Sequence, residues 1–540
     1  MEDGNARRHR EVMEAIARDK GVDPSVLVPL FTHLGQDTLT LDEIRVKAGE
    51  AVEAILERAR RTVAPSNDGA DIDATIRAAR ARLGALDTAG ADALLADKIA
   101  EEETARRQRL IPLLEEQAAV KRLSYDHEGA KTTLRKLLAL DPDRVWDWIG
   151  LGDLCVTTGA LAPAMEAFRQ SRAAAERLVK AEPGNADRQR DLSVSHNSIG
   201  DVLSDQGDLA AALASFQAGL AIRETLARAD PGNAEWQRDL SVSHERIGDV
   251  LSAQGHLAAA LDSFRAALAI GGTLARADPG NAVWQRDLSV SHDRIGNVLR
   301  AQGNLAAALD SFRASLAIRE TLARADPGNA GWQRDLSVSH NNIGDVLSAQ
   351  GDLAAALASF RAGLAIAGTL ARADPGNAEW QRDLSVSHDR IGDVLRAQGD
   401  LAAALGSFRA SLAIRETLAR ADSGNAGWQR DLSVSHDRIG NVLRAQGNLA
   451  AALDSFRASH AISETLARAD PGNAGWQRDL AMSFGKMATI EAQEGATAHA
   501  LDKFRRGREI VARLIRLSPD NAQLPKDLAQ FDADIKRHTP

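Results

Sequence analysis

One cysteine in 540 residues, Cys155, leaves no internal disulfide framework and no Cys-rich metal site to look for. The net charge of −9 is modest for this length, and the two signs are interspersed: the 48 residues from Asp383 to Arg430 carry six acidic and six basic side chains. No basic face recommends nucleic acid as a partner. Arg7, Arg8 and Arg10 make the N-terminus basic, but no apolar run follows them. The expectation is therefore a cytoplasmic chain without signal peptide or membrane span. Catalytic signatures are also missing. There is no phosphate-cradling Gly loop, no His-Glu-x-x-His and no Gly-x-Ser-x-Gly, and the Ala-Asp-Pro-Gly-Asn-Ala segments read as turns. Paired carboxylates are abundant, yet nothing marks one pair as special. The reading is a non-enzyme with no cofactor and no metal.

What the chain has is repetition. An Asp-Leu pair recurs at Asp191, Asp239, Asp287, Asp335, Asp383, Asp431, Asp479 and Asp527, a period of 48 without slippage. A fixed period in this range is the signature of a stacked repeat architecture. Trp236, Leu240, His244, Ile247 and Leu251 are spaced to share one helical stripe, and Gln254-Gly255 ends that helix. The residue after the Gly is Asp208, His256, Asn304, Asp352, Asp400 or Asn448, and five of these six are good N-cap types. In the second helix Leu257, Leu261, Phe264 and Leu268 form the apolar stripe, with the small residues Ala260 and Ala267 between them. It should stop near Asp278, before Pro279-Gly280. A helix hairpin of this kind buries its apolar faces only by stacking on its neighbours. The six tryptophans Trp236, Trp284, Trp332, Trp380, Trp428 and Trp476 are read as inter-repeat packing, each a large apolar payload.

These residues resemble a tetratricopeptide repeat (TPR). Trp148, Leu151, Gly152, Gly159, Ala164, Phe168 and Pro183 fill the family's places, and later copies keep Gly200, Gly207, Ala212, Phe216 and Pro231. Two departures stand out. The leading aromatic becomes His196, His244, His292, His340, His388 and His436, returning as Phe484, and the unit exceeds the usual length of about 34 residues. We place seven extra residues on each helix, close to two turns, which keeps the stripe in phase. The resemblance implies an all-α fold, a right-handed superhelical α-solenoid of stacked antiparallel helix pairs, and a bacterial type of repeat protein.

The organisation read from the sequence is an N-terminal helical region (1–63), a linker (64–70), degenerate helical hairpins (71–142), eight elongated repeats (143–526) and a C-terminal capping helix with its tail (527–540). Within the first region, Asp23-Pro24 starts a helix ending near Leu34-Gly35, and Thr40 to Glu43 form a capping box for a helix to about Arg61. Ala130, Leu134, Leu137 and Pro142 close the second degenerate hairpin. Leu528, Phe531 and Ile535 line one face of the final helix. Gly271-Gly272, where other copies carry Arg-Glu (at 223, 319 and 415), Ala367-Gly368 or Ser463-Glu464, is the expected soft point, since Gly within a helix costs about 0.8–1 kcal/mol relative to Ala.

Six histidines at one repeat position invite a metal reading. Equivalent positions in adjacent repeats are separated by two helix packings of about 8–10 Å each, whereas ligands lie about 2 Å from one ion. They are read as half-buried packing residues with one ring nitrogen satisfied, and as a minor source of pH sensitivity. In tetratricopeptide proteins the first helices line the concave face. Carrying that over gives a first row of Asn197, Glu245, Asp293, Asn341, Asp389 and Asp437. The second row is Asp201, Asp249, Asn297, Asp345, Asp393 and Asn441, and the third is Ser204, Ser252, Arg300, Ser348, Arg396 and Arg444. Such rows fit an extended partner protein or peptide bearing Lys or Arg. Ordinary solvated helix faces are the alternative.

The function expected is a protein–protein interaction scaffold. The alternatives are a regulatory or sensor subunit of a signalling or defence complex acting through residues 1–142, and an enzyme with an unrecognised N-terminal site. Oligomeric state is left open.

Overall fold

The computed structural model of the chain describes residues 10–18, 23–28, 31, 41–61, 70–102, 107–518, 521 and 523–539. All regular structure among them is helical, in consecutive pairs joined by short turns. The fold is an all-α solenoid. Two compact units are distinguished, Met1–Ile318 and Arg319–Pro540.

In both units the repeat is the same. A first helix of 20 residues, called helix A (Ala234–Ala253, for example), is followed by a second of 21, helix B (Leu257–Ala277). Gly255 between them has φ +80°, the left-handed conformation that ends helix A without a Cβ penalty. Asp208, Asp352, Asp400 and Asn448 each accept a hydrogen bond from the backbone N–H three residues on, and Asn304 does so at 3.4 Å. His256 makes no such bond. The turn before helix A holds a cap that the reading of these segments as turns overlooked: Asn233, Asn281, Asn329, Asn377, Asn425 and Asn473 each accept from the backbone N–H of the repeat's Trp at 3.1 Å.

The chain carries its own ruler for the lengthening. Helix Val145–Thr157 has 13 residues and His127–Leu140 has 14. The next helices in the same roles, Ala186–Asp205 and Leu161–Ala181, have 20 and 21. Each helix has gained seven residues, nearly two turns.

The repeat core is organised around phenylalanine, not tryptophan. Phe216, Phe264, Phe312, Phe360, Phe408, Phe456 and Phe504 are among the largest fully buried side chains, and each of the first six lies against a helix-A glycine of its own repeat. The six repeat tryptophans are only half-buried, because they sit where one helix A meets the next and the outer ring edge stays wet.

Ahead of the repeats, helices Leu41–Arg60, Ala70–Gly84, Thr88–Glu102 and Arg107–Leu123 precede His127–Leu140. Asp23 caps a short 3-10 helix, Pro24–Leu27, accepting from the Ser25 N–H. The expected end near Gly35, the capping box at Thr40 and most of the 64–70 linker lie outside the described residues; Ala70 already begins a helix. Ala130, Leu134 and Leu137 are buried. At the other end, Leu524–His538 closes the stack, with Phe531 buried over Gly485 and Gly507.

Two B helices, Leu257–Ala277 and Leu353–Ala373, are long and apolar enough to cross a membrane. Both hold the place of any other helix B, stacked on the helix A before them. Their extra hydropathy comes from Gly271-Gly272 and Ala367-Gly368, which stand where sister helices carry Arg-Glu or, at 463–464, Ser-Glu.

Candidate interaction surface

Positions 238, 242, 245, 249 and 252 alternate by four and three, so they share one face of helix A. This face holds the three predicted rows. In each unit it is crossed by two ladders of ion pairs that join one repeat to the next.

The first ladder runs from an Arg near the start of helix A to the Asp that opens the next repeat's Asp-Leu pair. Arg190–Asp239 (2.6 Å) and Arg238–Asp287 (2.7 Å) belong to the first unit. Arg334–Asp383 (2.6 Å), Arg382–Asp431 (2.8 Å), Arg430–Asp479 (2.6 Å) and Arg478–Asp527 (2.6 Å) belong to the second.

The second ladder changes the meaning of the acidic rows. Asp201 pairs with Arg246 of the following repeat (3.1 Å), Glu245 and Asp249 with Arg294 (3.1 and 2.8 Å), and Asp345 with Arg390 (2.9 Å). Asp393 pairs with Arg438 and Asp437 with Lys486. Asn197, Asp293 and Asp389 are buried. Asn341, Asp437 and Asn441 are half-buried, and only Asn297 in these two rows is exposed. The rows thus largely serve as an internal fastening between repeats, with few of their carboxylates standing apart from a repeat cation. The signal was present one residue after the first row, at Arg246, Arg294, Arg390 and Arg438. Burial raises the carboxyl pKa of Asp201, Glu245 and Asp389, with the neighbouring arginines pulling the other way.

In the third row, Arg396 and Arg444 are exposed, and Arg300, Ser204, Ser252 and Ser348 are half-buried. Arg300 donates to Asn297 Oδ1 (3.1 Å) and Arg396 lies 3.6 Å from Asp393.

Between the ladders runs a lane of valines. Val338 and Val434 are 40% and 37% exposed, and Val386 between them is half-buried. In the first unit the same register holds Trp146, 54% exposed, whose Nε1 donates to Asp191 Oδ1 at 2.8 Å, followed by Val194, Val242 and Val290.

Beneath this face lies a feature the alternation of Arg-Glu with Gly-Gly marked only as a soft point. Arg223, Arg319 and Arg415 of helix B are 4–5% exposed. Arg223 Nε donates to Ser193 Oγ of its own repeat (3.0 Å), and Nη1 donates to the Asp239 carbonyl (2.8 Å) and Ser243 Oγ (2.9 Å) of the next. Asn197, with its amide oxygen turned inward, accepts from both terminal nitrogens. Arg415 repeats the pattern with Ser385, the Asp431 carbonyl and Ser435, and adds a 2.7 Å pair with Asp389. The guanidinium is a staple through three helices. Its burial was legible: Arg223 stands seven residues, two turns, after the buried Phe216.

The histidine ladder is half-buried. Burial lowers the pKa of all six rings. At His196 the buried Nδ1 has no hydrogen-bond partner. Among the described residues no three His, Cys, Asp or Glu side chains converge as a metal site.

A tetratricopeptide repeat family model matches residues 293–326, the latter part of one helix A and its helix B. No curated protein matches the chain. Similar solved structures include BtubC from P. vanneervenii, with 17% identity over 49% of this chain and 93% of that one and a TM-score of 0.39. The apo form of RapI shows 14% identity, 60% and 99% coverage and a TM-score of 0.40. Yeast Tom70 shows 11% identity, 87% and 95% coverage and a TM-score of 0.30.

Proposed function

For a tetratricopeptide-repeat protein with this surface, we propose a cytoplasmic interaction scaffold that takes a partner protein or peptide segment along the helix-A face, away from membranes and nucleic acid. The observation that carries this is the lane of Val338, Val386 and Val434, left open between two ladders that satisfy their own charges. An apolar strip rimmed by polar groups is what an extended segment needs to seat some side chains and leave the others in water. The ladders keep successive A helices in register, so the strip is formed before the partner arrives and little ordering is required on binding.

The partner's basic residues have a narrower role than free acidic rows would offer. A Lys or Arg from outside would share carboxylates that repeat arginines already hold. Exposed Arg396 and Arg444 offer a place for an acidic group instead.

The test is affinity capture from native cytoplasm with the full chain and with a Val338→Asp, Val434→Asp variant. Both positions are exposed, so the change in stability should stay within about 0.5 kcal/mol each. Loss of a reproducible partner by the variant, with an unchanged melting curve, supports the lane as the site. Equal capture by both chains removes it and points to residues 1–142.

A further inference from the structure

The first unit contains a notch that its own sister repeat fills. At position 223 a buried arginine bonds Ser193, the Asp239 carbonyl and Ser243. One repeat on, position 271 is Gly, while the acceptors in the same register are kept as Ser241, the Asp287 carbonyl and Ser291. A cavity of about 10 Å³, the room of about one water, opens there, lined by Glu245, Trp284, Asp287 and by Arg238, whose charge Asp287 already holds at 2.7 Å. A Cβ added at Gly271 would meet nothing nearer than Leu288 Cδ1 at 4.0 Å, so the backbone does not block the space.

The charge count singles out the same place. In the repeat of Arg415, two carboxylates have two cations: Asp389 pairs with Arg415 at 2.7 Å and lies 3.6 Å from Arg438, which also pairs with Asp393. In the repeat of Gly271, Glu245 and Asp249 share the one guanidinium of Arg294. The cation lacking is the one that position 271 would supply. Glu245 Oε1 accepts from Ser291 Oγ (2.7 Å), the serine whose counterpart Ser243 receives Arg223. The notch at Ala367 differs. Its row residue is the neutral Asn341 and Asp345 has Arg390 to itself, so there the carboxylate does not have to share its cation.

We propose that the Gly271 notch is a socket for a guanidinium group from outside the chain, an arginine side chain of the bound segment, held by Glu245, Ser241 and the Asp287 carbonyl. The planar head is larger than the one water the notch can hold, so it enters as the lining side chains of Arg238 and Leu274 shift aside, and it stacks beside Trp284, as guanidinium groups do on aromatic faces. The arginine as the source rests on the scaffold reading; the socket itself does not.

The test uses the full chain with methyl groups of leucine labelled and ethylguanidinium as the probe, urea being the neutral isostere. The expected result is a saturable shift of the Leu274 methyls with ethylguanidinium and none with urea, while Leu370 at the Ala367 notch stays unmoved. Gly271→Arg should abolish the shift by filling the socket from within. Glu245→Gln should weaken binding at least about tenfold, the worth of one charge-assisted hydrogen bond, and it decides the question if Gly271→Arg does not fold. A capped Gly-Arg-Gly peptide binding more tightly than free arginine identifies a partner segment as the source; the reverse order identifies a small molecule and overturns that part. Equal shifts with urea, or an unchanged affinity in Glu245→Gln, overturn the socket and leave capture along the valine lane untouched.

Discussion

A Cβ on Gly392 would lie 2.6 Å from Cε1 of the Phe408 ring. The glycine in helix A and the phenylalanine in helix B of one repeat are therefore a single packing unit, in which one side chain is absent so that the other can lie flat against backbone. Gly392→Ala should destabilise the repeat by about 1–3 kcal/mol through overpacking, despite the better helix propensity of alanine. Gly406, exposed in the same repeat with nothing within 4 Å of an added Cβ, is the matched control. Gly406→Ala should stabilise by about 0.8–1 kcal/mol. Hydrogen-exchange protection of helices Ala378–Ala397 and Leu401–Ala421 reads both. Equal signs for the two substitutions would contradict the Gly–Phe account.

Arg415 and Asp389 are each about 5% exposed at the side chain and 2.7 Å apart. Removing one member of such a pair leaves the other charge buried, at a cost of up to about 3–5 kcal/mol, an upper bound here because Arg438 also lies 3.6 Å from Asp389. Arg415→Ala should show a loss of that order, and adding Asp389→Asn should recover much of it. If the double variant is no more stable than the single one, the two side chains are not coupled.

The first ladder is a different case. Arg334 and Asp383 are 41% and 32% exposed, so Arg334→Ala should cost only about 0.2–1 kcal/mol. That cost should shrink as sodium chloride is raised from about 0.05 to 0.5 M, because exposed charges are screened. A salt-independent loss would mean that the arginine acts through packing.

The histidines set a pH dependence whose sign is determined. Burial depresses the pKa of His196, His244, His292, His340, His388 and His436 in the folded chain. The unfolded chain therefore binds protons first as pH falls below about 6.5. The stability due to neutral rings is fully present above that value and is lost on acidification. The buried carboxyls Asp201, Glu245 and Asp389 are shifted upward and act oppositely, favouring the fold as they protonate in the more acid range. Melting temperature should fall from pH 8 to pH 5, and His388→Phe, the residue type that the last repeat carries as Phe484, should flatten the slope. A flat profile for the parent chain would refute the assignment.

Asn377 tests the cap that precedes each helix A. Its Oδ1 accepts from the Trp380 N–H at 3.1 Å, and Asn377→Ala should cost about 1 kcal/mol. Asn377→Asp should cost much less, since aspartate caps as well and favours the positive end of the helix.

Periodicity made the fold readable. The Asp-Leu register, the glycine turns and the stripe through Phe264 and Leu261 all agree with one helix-hairpin stack, and each is a local rule applied many times. The surface was less legible, because its chemistry is decided between repeats. Nothing local tells Asp345 from a solvated aspartate; its partner Arg390 is 45 residues away and meets it only once the stack has formed. Trp236 lies at the seam between repeats, as its inter-repeat reading expects, while the fully buried core place goes to Phe264, which faces a glycine. Arg223 hid behind its charge, although its position two turns after Phe216 placed it inside.

The occupant of the staple position runs Arg223, Gly271, Arg319, Ala367, Arg415, Ser463. Arginine-bearing and arginine-less repeats therefore alternate, and near-identical copies invite unequal exchange. Loss or gain of one copy would set two stapled or two unstapled repeats side by side, changing the charge balance at the seam. Loss or gain of two preserves the alternation. Length variants that keep the alternation differ by even numbers of repeats, that is, in steps of 96 residues.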